Sequence, residues 1–170
     1  MKFTNEAVSP VIGVLLMLTL TLIVAAIVNS YAGGLMETES KAPSVTIQAE
    51  YHQSGDMELR HISGDPIPTS SVTCIIRPTD TMGRTAGQRL SVIQAQYLKN
   101  DEEGKSWSSG ITVMRPGDVH RVLNSDLPNL QAGIEQEYWI NRTANLGKTF
   151  YLEMYYKNTM ISRSEVLIEV

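Results

Sequence analysis

Cysteine is almost absent from this 170-residue chain. Cys74 stands alone, so no intrachain disulfide can form and no multi-cysteine metal site is available. An oxidising compartment is thereby neither required nor forbidden. Aromatic residues make up 6% of the chain, with two Trp and two Phe, too few for a stacked aromatic path along an assembly. Catalytic signatures are missing too: there is no GxSxG, P-loop, HExxH or dinucleotide-type glycine pattern. His52, His61 and His120 are scattered, without an i,i+4 pair or a neighbouring Cys or Glu at metal-site spacing. No catalytic residue, metal ligand or cofactor is therefore assigned, and the chain reads as a non-enzyme. The largest deficit is of charge, since no side chain from Ala7 to Met36 carries one.

That deficit divides the chain. Lys2 and Glu6 cancel, so the formal net charge of -4 belongs entirely to residues 37–170. An acidic body gains nothing from counterion release on a polyanion, which excludes nucleic acid as the expected partner.

The uncharged segment lies within EAVSPVIGVLLMLTLTLIVAAIVNSYAGG, residues 6–34. Ser9 followed by Pro10 is a helix-start signal, because the Ser oxygen can accept an N–H of the first turn while Pro gives up a hydrogen bond the helix would not have made. Gly33 and Gly34 supply a stop, which places the natural end near Tyr31 or Ala32. The 22 residues from Pro10 to Tyr31 span roughly 33 Å as a helix, enough to cross a hydrocarbon core of about 30 Å. Twelve Val, Ile or Leu residues lie between Val11 and Val28, and together they favour membrane insertion by about 4 to 7 kcal/mol. They occupy every side of the helical wheel, so the helix must be enclosed by lipid or by protein. Lys2 and the amino terminus on one side, with Glu37 and Glu39 on the other, place the leader in the cytoplasm and residues 37–170 outside. Three readings compete. A secretory signal peptide with Ser30-Tyr31-Ala32 at its cleavage site has too long an apolar core, since such regions run about 7 to 15 residues. A plain membrane anchor is the second.

The third rests on a likeness. The run Ala7-Val8-Ser9-Pro10-Val11-Ile12-Gly13-Val14-Leu15-Leu16-Met17 resembles the amino-terminal signature of archaeal type IV pilins, prepilin-like proteins whose nearest siblings are the archaellins. The resemblance covers about 25 residues, and it implies a class III signal peptide cut by a prepilin peptidase between Ala7 and Val8. Two positions depart from related patterns: Glu6 stands where the family commonly has a basic residue, and Ile12 where bacterial pilins carry a glutamate. The resemblance further implies a helix that serves two solvents in turn, first lipid and then copies of itself. Val11, Ile12, Val14, Leu15, Leu16, Leu18, Leu22, Ile23 and Ile27 would supply the shared surface. Burying all twelve aliphatic side chains is worth up to roughly 18 to 36 kcal/mol relative to water. Against lipid the gain is far smaller, so extraction implies an assembly ATPase and its membrane platform.

Beyond a charged connector ending at Pro43, helical periodicity gives way to short runs rich in Val, Ile, Thr and Tyr between turn signals. Strands are predicted at 44–51, 57–62, 71–77, 90–98, 110–114, 118–123, 137–140, 149–156 and 160–170, with a surface loop at 79–88. Val45, Ile47 and Ala49 share one face, as do Phe150, Leu152, Met154 and Tyr156. Arg115-Pro116-Gly117-Asp118 reads as a type II turn. Such a pattern predicts an all-β antiparallel sandwich of immunoglobulin-like kind. The expected organisation is a leader at 1–7, a hydrophobic helix at 8–36, a linker at 37–43 and an extracellular β-sandwich at 44–170.

Weaker signals lie in the body. His61 and Asp65 suit either a cation shared across a turn or a hydrogen-bonded turn histidine. Cys74, beside Ile75 and Ile76, fits a buried thiol better than a nucleophile. Asn141-Arg142-Thr143 is the sole N-x-S/T sequon and a candidate glycan acceptor. Trp107 and Trp139 are candidate surface anchors, although Trp139 sits in a strand pattern that suits a core. The function expected is a structural subunit of a surface filament for adhesion or cell contact, held in the cell membrane before assembly. The alternative is a membrane-anchored extracytoplasmic β-domain, a binding module or minor component that does not polymerise.

Overall fold

Helix α1 runs Val8–Gly34, 27 residues without interruption. The computed structural model describes residues 8–34, 41–100 and 105–170. The expected leader, residue Ala7, the last two helix positions at 35–36 and linker residues 37–40 lie outside them. Val8 and Ser9 are already helical, so among the described residues the helix includes at least two positions before Pro10. Pro10 thus lies within the first described turn of the helix and does not open it. Ser9 is inside the first turn and not ahead of it. The expected stop at Tyr31 or Ala32 is too early, because Gly33 and Gly34 continue the helix. Glycine costs a helix interior about 1 kcal/mol but does not forbid it.

The chain divides into two compact units, Met1–Lys41 and Ala42–Val170. The second is a mostly β domain with strands β1 (Val45–His52), β2 (Met57–Gly64), β3 (Ile67–Pro68), β4 (Val72–Pro78), β5 (Ser91–Ile93), β6 (Lys99–Asn100), β7 (Val113–Met114), β8 (Val119–Val122), β9 (Thr149–Tyr156) and β10 (Thr159–Glu169). A single turn of helix, α2, spans Leu127–Leu130. Eight strands hydrogen-bond in the order β5-β4-β9-β10-β1-β2-β8-β6, and β3 pairs separately with β7.

Long strand β10 joins the two halves of this sheet. It runs antiparallel to β9 from Thr159 to Leu167, and its end pairs in parallel with β1 through Tyr51 opposite Ile168 and His52 opposite Glu169. The result is sandwich-like, with the half that contains β1, β2 and β8 curled towards a half-barrel. Inward residues alternate as a half-buried sheet requires: Ile47, Ala49 and Tyr51 on β1, Met57, Leu59 and His61 on β2, and Phe150, Leu152, Met154 and Tyr156 on β9 are buried. The Tyr51 ring meets Phe150 edge-on at 6.2 Å, linking β1 to β9 through the core.

Some expected elements differ. The strand predicted at 137–140 is instead a 3-10 turn at Gln136–Tyr138. Side chains replace the ladder there: Asn145 Nδ2 donates to Glu137 O at 2.9 Å and Trp139 O at 2.7 Å, and Gln131 Oε1 accepts from Ile140 N at 2.7 Å. Of the strand predicted at 90–98 only Ser91–Ile93 pairs, followed by a 3-10 turn at Ala95–Tyr97. The strand predicted at 110–114 is reduced to Val113–Met114. The surface loop predicted at 79–88 contains two 3-10 turns that bury Met82 and Ala86 in the core.

Candidate functional site

Every residue from Val11 to Tyr31 is exposed, and this stretch of α1 is long and apolar enough to cross a membrane. Exposure of its large apolar side chains runs from 50% at Ile12 to 74% at Tyr31. Val11, Val14, Leu15, Leu16, Leu18, Leu22, Ile23 and Ile27 are bare as well, on all sides of the rod. Water is a poor solvent for such a surface, and lipid or protein a good one. The two threonines do not spoil it. Thr19 Oγ1 donates to Leu16 O and Thr21 Oγ1 to Leu18 O, each at 2.9 Å, so neither hydroxyl needs water or a neighbour.

Residues 6–47 match the family model described as archaeal type IV pilin, N-terminal. That pilin-type segment takes in all of α1 and the first residues of β1, about a quarter of the chain. A relative from Archaeoglobus fulgidus, described as an uncharacterized protein, is 35% identical over 91 residues, which cover 51% of this chain and 64% of the relative's own length. The pilin-type match points to a structural protein rather than an enzyme, and with the bare helix to one that is membrane-anchored or surface-exposed.

The β-domain behind the pilin-type segment puts the remaining candidates to structural use. His61 is fully buried, with Nε2 3.1 Å from Ser63 O, whereas Asp65 Oδ2 accepts from Ser44 N at 3.0 Å. The two are bound to different backbone groups, which is the turn-histidine reading and not the shared cation. Among the described residues, no group of three His, Cys, Asp or Glu is placed to hold a metal ion. Cys74 is buried on β4 and burial pushes its thiol up to about 12, so it packs as a small hydrophobe.

Trp107 is no surface anchor. It is buried and donates from its indole N–H to His120 Nδ1, with the rings edge-on at 5.7 Å. Burial holds the His120 pKa below the usual histidine value, opposed by the nearby charge of Asp118. Trp139 is half-buried between the core residues Tyr138 and Ile140, and its indole donates to Ile134 O at 3.1 Å. Asn141 is half-buried, with Oδ1 3.4 Å from Gln131 Nε2, while Arg142 and Thr143 are exposed.

One cluster has no clear signal in the sequence. Glu153 lies on the outer face of β9 yet is only 2% exposed. Arg77 Nε donates to both its oxygens at 3.1 Å, Tyr155 Oη donates to Oε2 at 3.2 Å, and Arg163 Nε approaches Oε1 at 3.6 Å. Arg163 in turn stacks on the Tyr151 ring, 3.6 Å from its centroid. The hydrogen bond to Glu153 raises the Arg77 pKa, against the opposing effect of burial. A 460 Å³ cleft lies beside this cluster, lined by Arg77, Thr79, Thr81, Tyr151 and Arg163 among others. Its two guanidinium groups are engaged by Glu153 and lock the sheet face, while the exposed carboxylates of Asp80 and Glu165 also line the cleft. Only the cross-strand register, which sets Arg77 opposite Tyr151 and Arg163 opposite Glu153, brings these residues together.

Proposed function

We propose that this chain is a structural subunit of an archaeal type IV pilus-like surface filament that serves adhesion or cell contact. A prepilin peptidase cuts between Ala7 and Val8. Helix α1 then anchors the subunit in the membrane, amino terminus in the cytoplasm and β-domain outside. An assembly ATPase and its platform transfer the subunit into a polymer, where copies of α1 wrap one another and the β-domains form the outside. Asn141 is the candidate glycan acceptor on that exterior.

The observation that carries this reading is the bare rod from Val11 to Tyr31 inside a segment that matches the pilin N-terminal model. A rod apolar on all sides is compatible with lipid before assembly and with other copies after it. Mass spectrometry of the native protein is expected to find a new amino terminus at Val8, and electron microscopy of sheared surface material to find fibres that contain this chain. An intact Met1 in every molecule would remove the processing step, with Glu6 the first residue to suspect. Processed chains that appear only as membrane-bound monomers would favour the anchored, non-polymerising alternative. Loss of a glycan mass in Asn141→Gln tests the acceptor.

A further inference from the structure

We infer that Asn29 fixes the axial register between neighbouring α1 helices, its amide pairing with the same helix of a second copy of this chain; this rests on the filament reading above. Asn29 interrupts the uncharged and largely aliphatic stretch from Val11 to Tyr31 with the one amide it contains. Its side chain is exposed, and among the described residues no hydrogen bond engages it. The threonines solve the same problem locally, by donating to the carbonyls of Leu16 and Leu18. Ser30 can do likewise by rotating its hydroxyl onto its own helix. A carboxamide cannot be satisfied that way, because a single N–H turned onto a helix carbonyl leaves its second N–H and its oxygen without a partner.

Two environments treat that amide differently. Asn29 is two residues from the end of the membrane-length stretch, so in a bilayer it sits at the interface, where water satisfies it. Packed among aliphatic side chains of other helices it must be hydrogen-bonded by protein. The amide is self-complementary, donor to acceptor, so an identical chain can supply the partner. Aliphatic side chains are alike along the rod and discriminate poorly between axial positions one helical turn apart, about 5.4 Å. A single polar group that is satisfied in only one of them selects that one, as a lone polar core residue does in a coiled coil.

The test compares filaments sheared from cells that produce the full chain with Asn29, Asn29→Leu or Asn29→Thr, imaged by cryo-electron microscopy. Leu keeps the helix apolar, and Thr keeps a polar group that bonds back to its own helix. The expected result is one helical rise and twist for the parent chain, and a mixture of rises, or loss of fibres despite equal membrane levels, for both variants. Asn29→Gln, which retains the amide, restores a single rise. Variant fibres with the parent's single rise and twist overturn the inference while leaving the filament reading intact. A parent chain that forms no fibres removes both.

Discussion

Ser44 and Asp65 hold each other twice: Ser44 N donates to Asp65 Oδ2 at 3.0 Å, and Asp65 N donates to Ser44 O at 2.9 Å. This clasp fixes the entry to β1 against the turn that ends β2. Gly64 makes it possible. Its φ is +112°, and a Cβ there would lie 2.1 Å from Ser44 O. Gly64→Ala therefore meets backbone strain and a backbone clash together, and is expected to cost at least about 2 kcal/mol. Thermal unfolding of the full chain in detergent should show a fall of about 6–10 °C. An unchanged midpoint would mean that the clasp does not hold the fold.

Glu153 is the buried hub of a partly exposed ion cluster, and removing it leaves Arg77 without its carboxylate. Glu153→Ala is expected to destabilise by about 2 kcal/mol, because half-buried Arg77 would keep its charge and lose the carboxylate that binds it. Arg77→Met combined with Glu153→Met should recover most of that loss, since packed apolar groups need no partner. Urea unfolding of Arg77→Met, Glu153→Met and the double variant measures the coupling; additive losses would contradict it.

His120 gives the fold a defined acid response. Its folded pKa is lowered, mainly by burial, so unfolded chains take up the proton first. The stability it contributes is complete above about pH 6.5 and declines as the pH falls from there towards the folded value, by at most about 1.4 kcal/mol per pH unit. Protonation also removes the Nδ1 lone pair that accepts the Trp107 indole proton. In His120→Gln the amide oxygen can accept that proton at any pH. The difference in melting temperature between pH 7.5 and pH 5 should thus be smaller in the variant; equal differences would contradict the assignment.

Lys157 is the one non-glycine residue with positive φ among those described, at 53°, in the turn that joins β9 to β10. A left-handed lysine is strained by about 1 kcal/mol. Lys157→Gly should raise stability by about 0.5 kcal/mol, net of the extra freedom of glycine in the unfolded chain. A lower melting temperature would show that the Lys157 ammonium over the Tyr156 ring, at 5.5 Å, outweighs the strain.

Cys74 should resist thiol reagents in the folded protein, being buried with its pKa at about 12. Maleimide labelling is expected to be near zero in native detergent solution and complete in denaturant. Rapid native labelling would require the β4 strand to open locally.

Strands with an unambiguous period were legible. Runs rich in Val, Ile, Thr and Tyr between turn signals, together with their alternation, give Thr149 to Tyr156 with the bounds of β9, and β1 and β2 to within two residues. Trp139 and Ile140 look like strand by composition, but their backbone groups are taken by Asn145 and Gln131, an arrangement local propensity cannot encode. Met82 and Ala86 sit among turn residues, so their burial depends on what packs over them. In the candidate site the aliphatic rod was plain, while the self-satisfied threonines and the open amide of Asn29 became distinguishable only through hydrogen bonds.

The sequence by itself determined the two-part character of this protein: an uncharged helix followed by an acidic β-body. Charge and apolar side chains act through transfer free energy, which is summed residue by residue and hardly depends on fold. The tertiary structure alone decided which residues meet across strands. It set the parallel join of β1 to β10, the Ser44–Asp65 clasp, the Glu153 cluster and the Trp107–His120 pair. These contacts join residues from 13 to more than 100 positions apart, and such pairings depend on loop closure and register, which no local window of sequence contains.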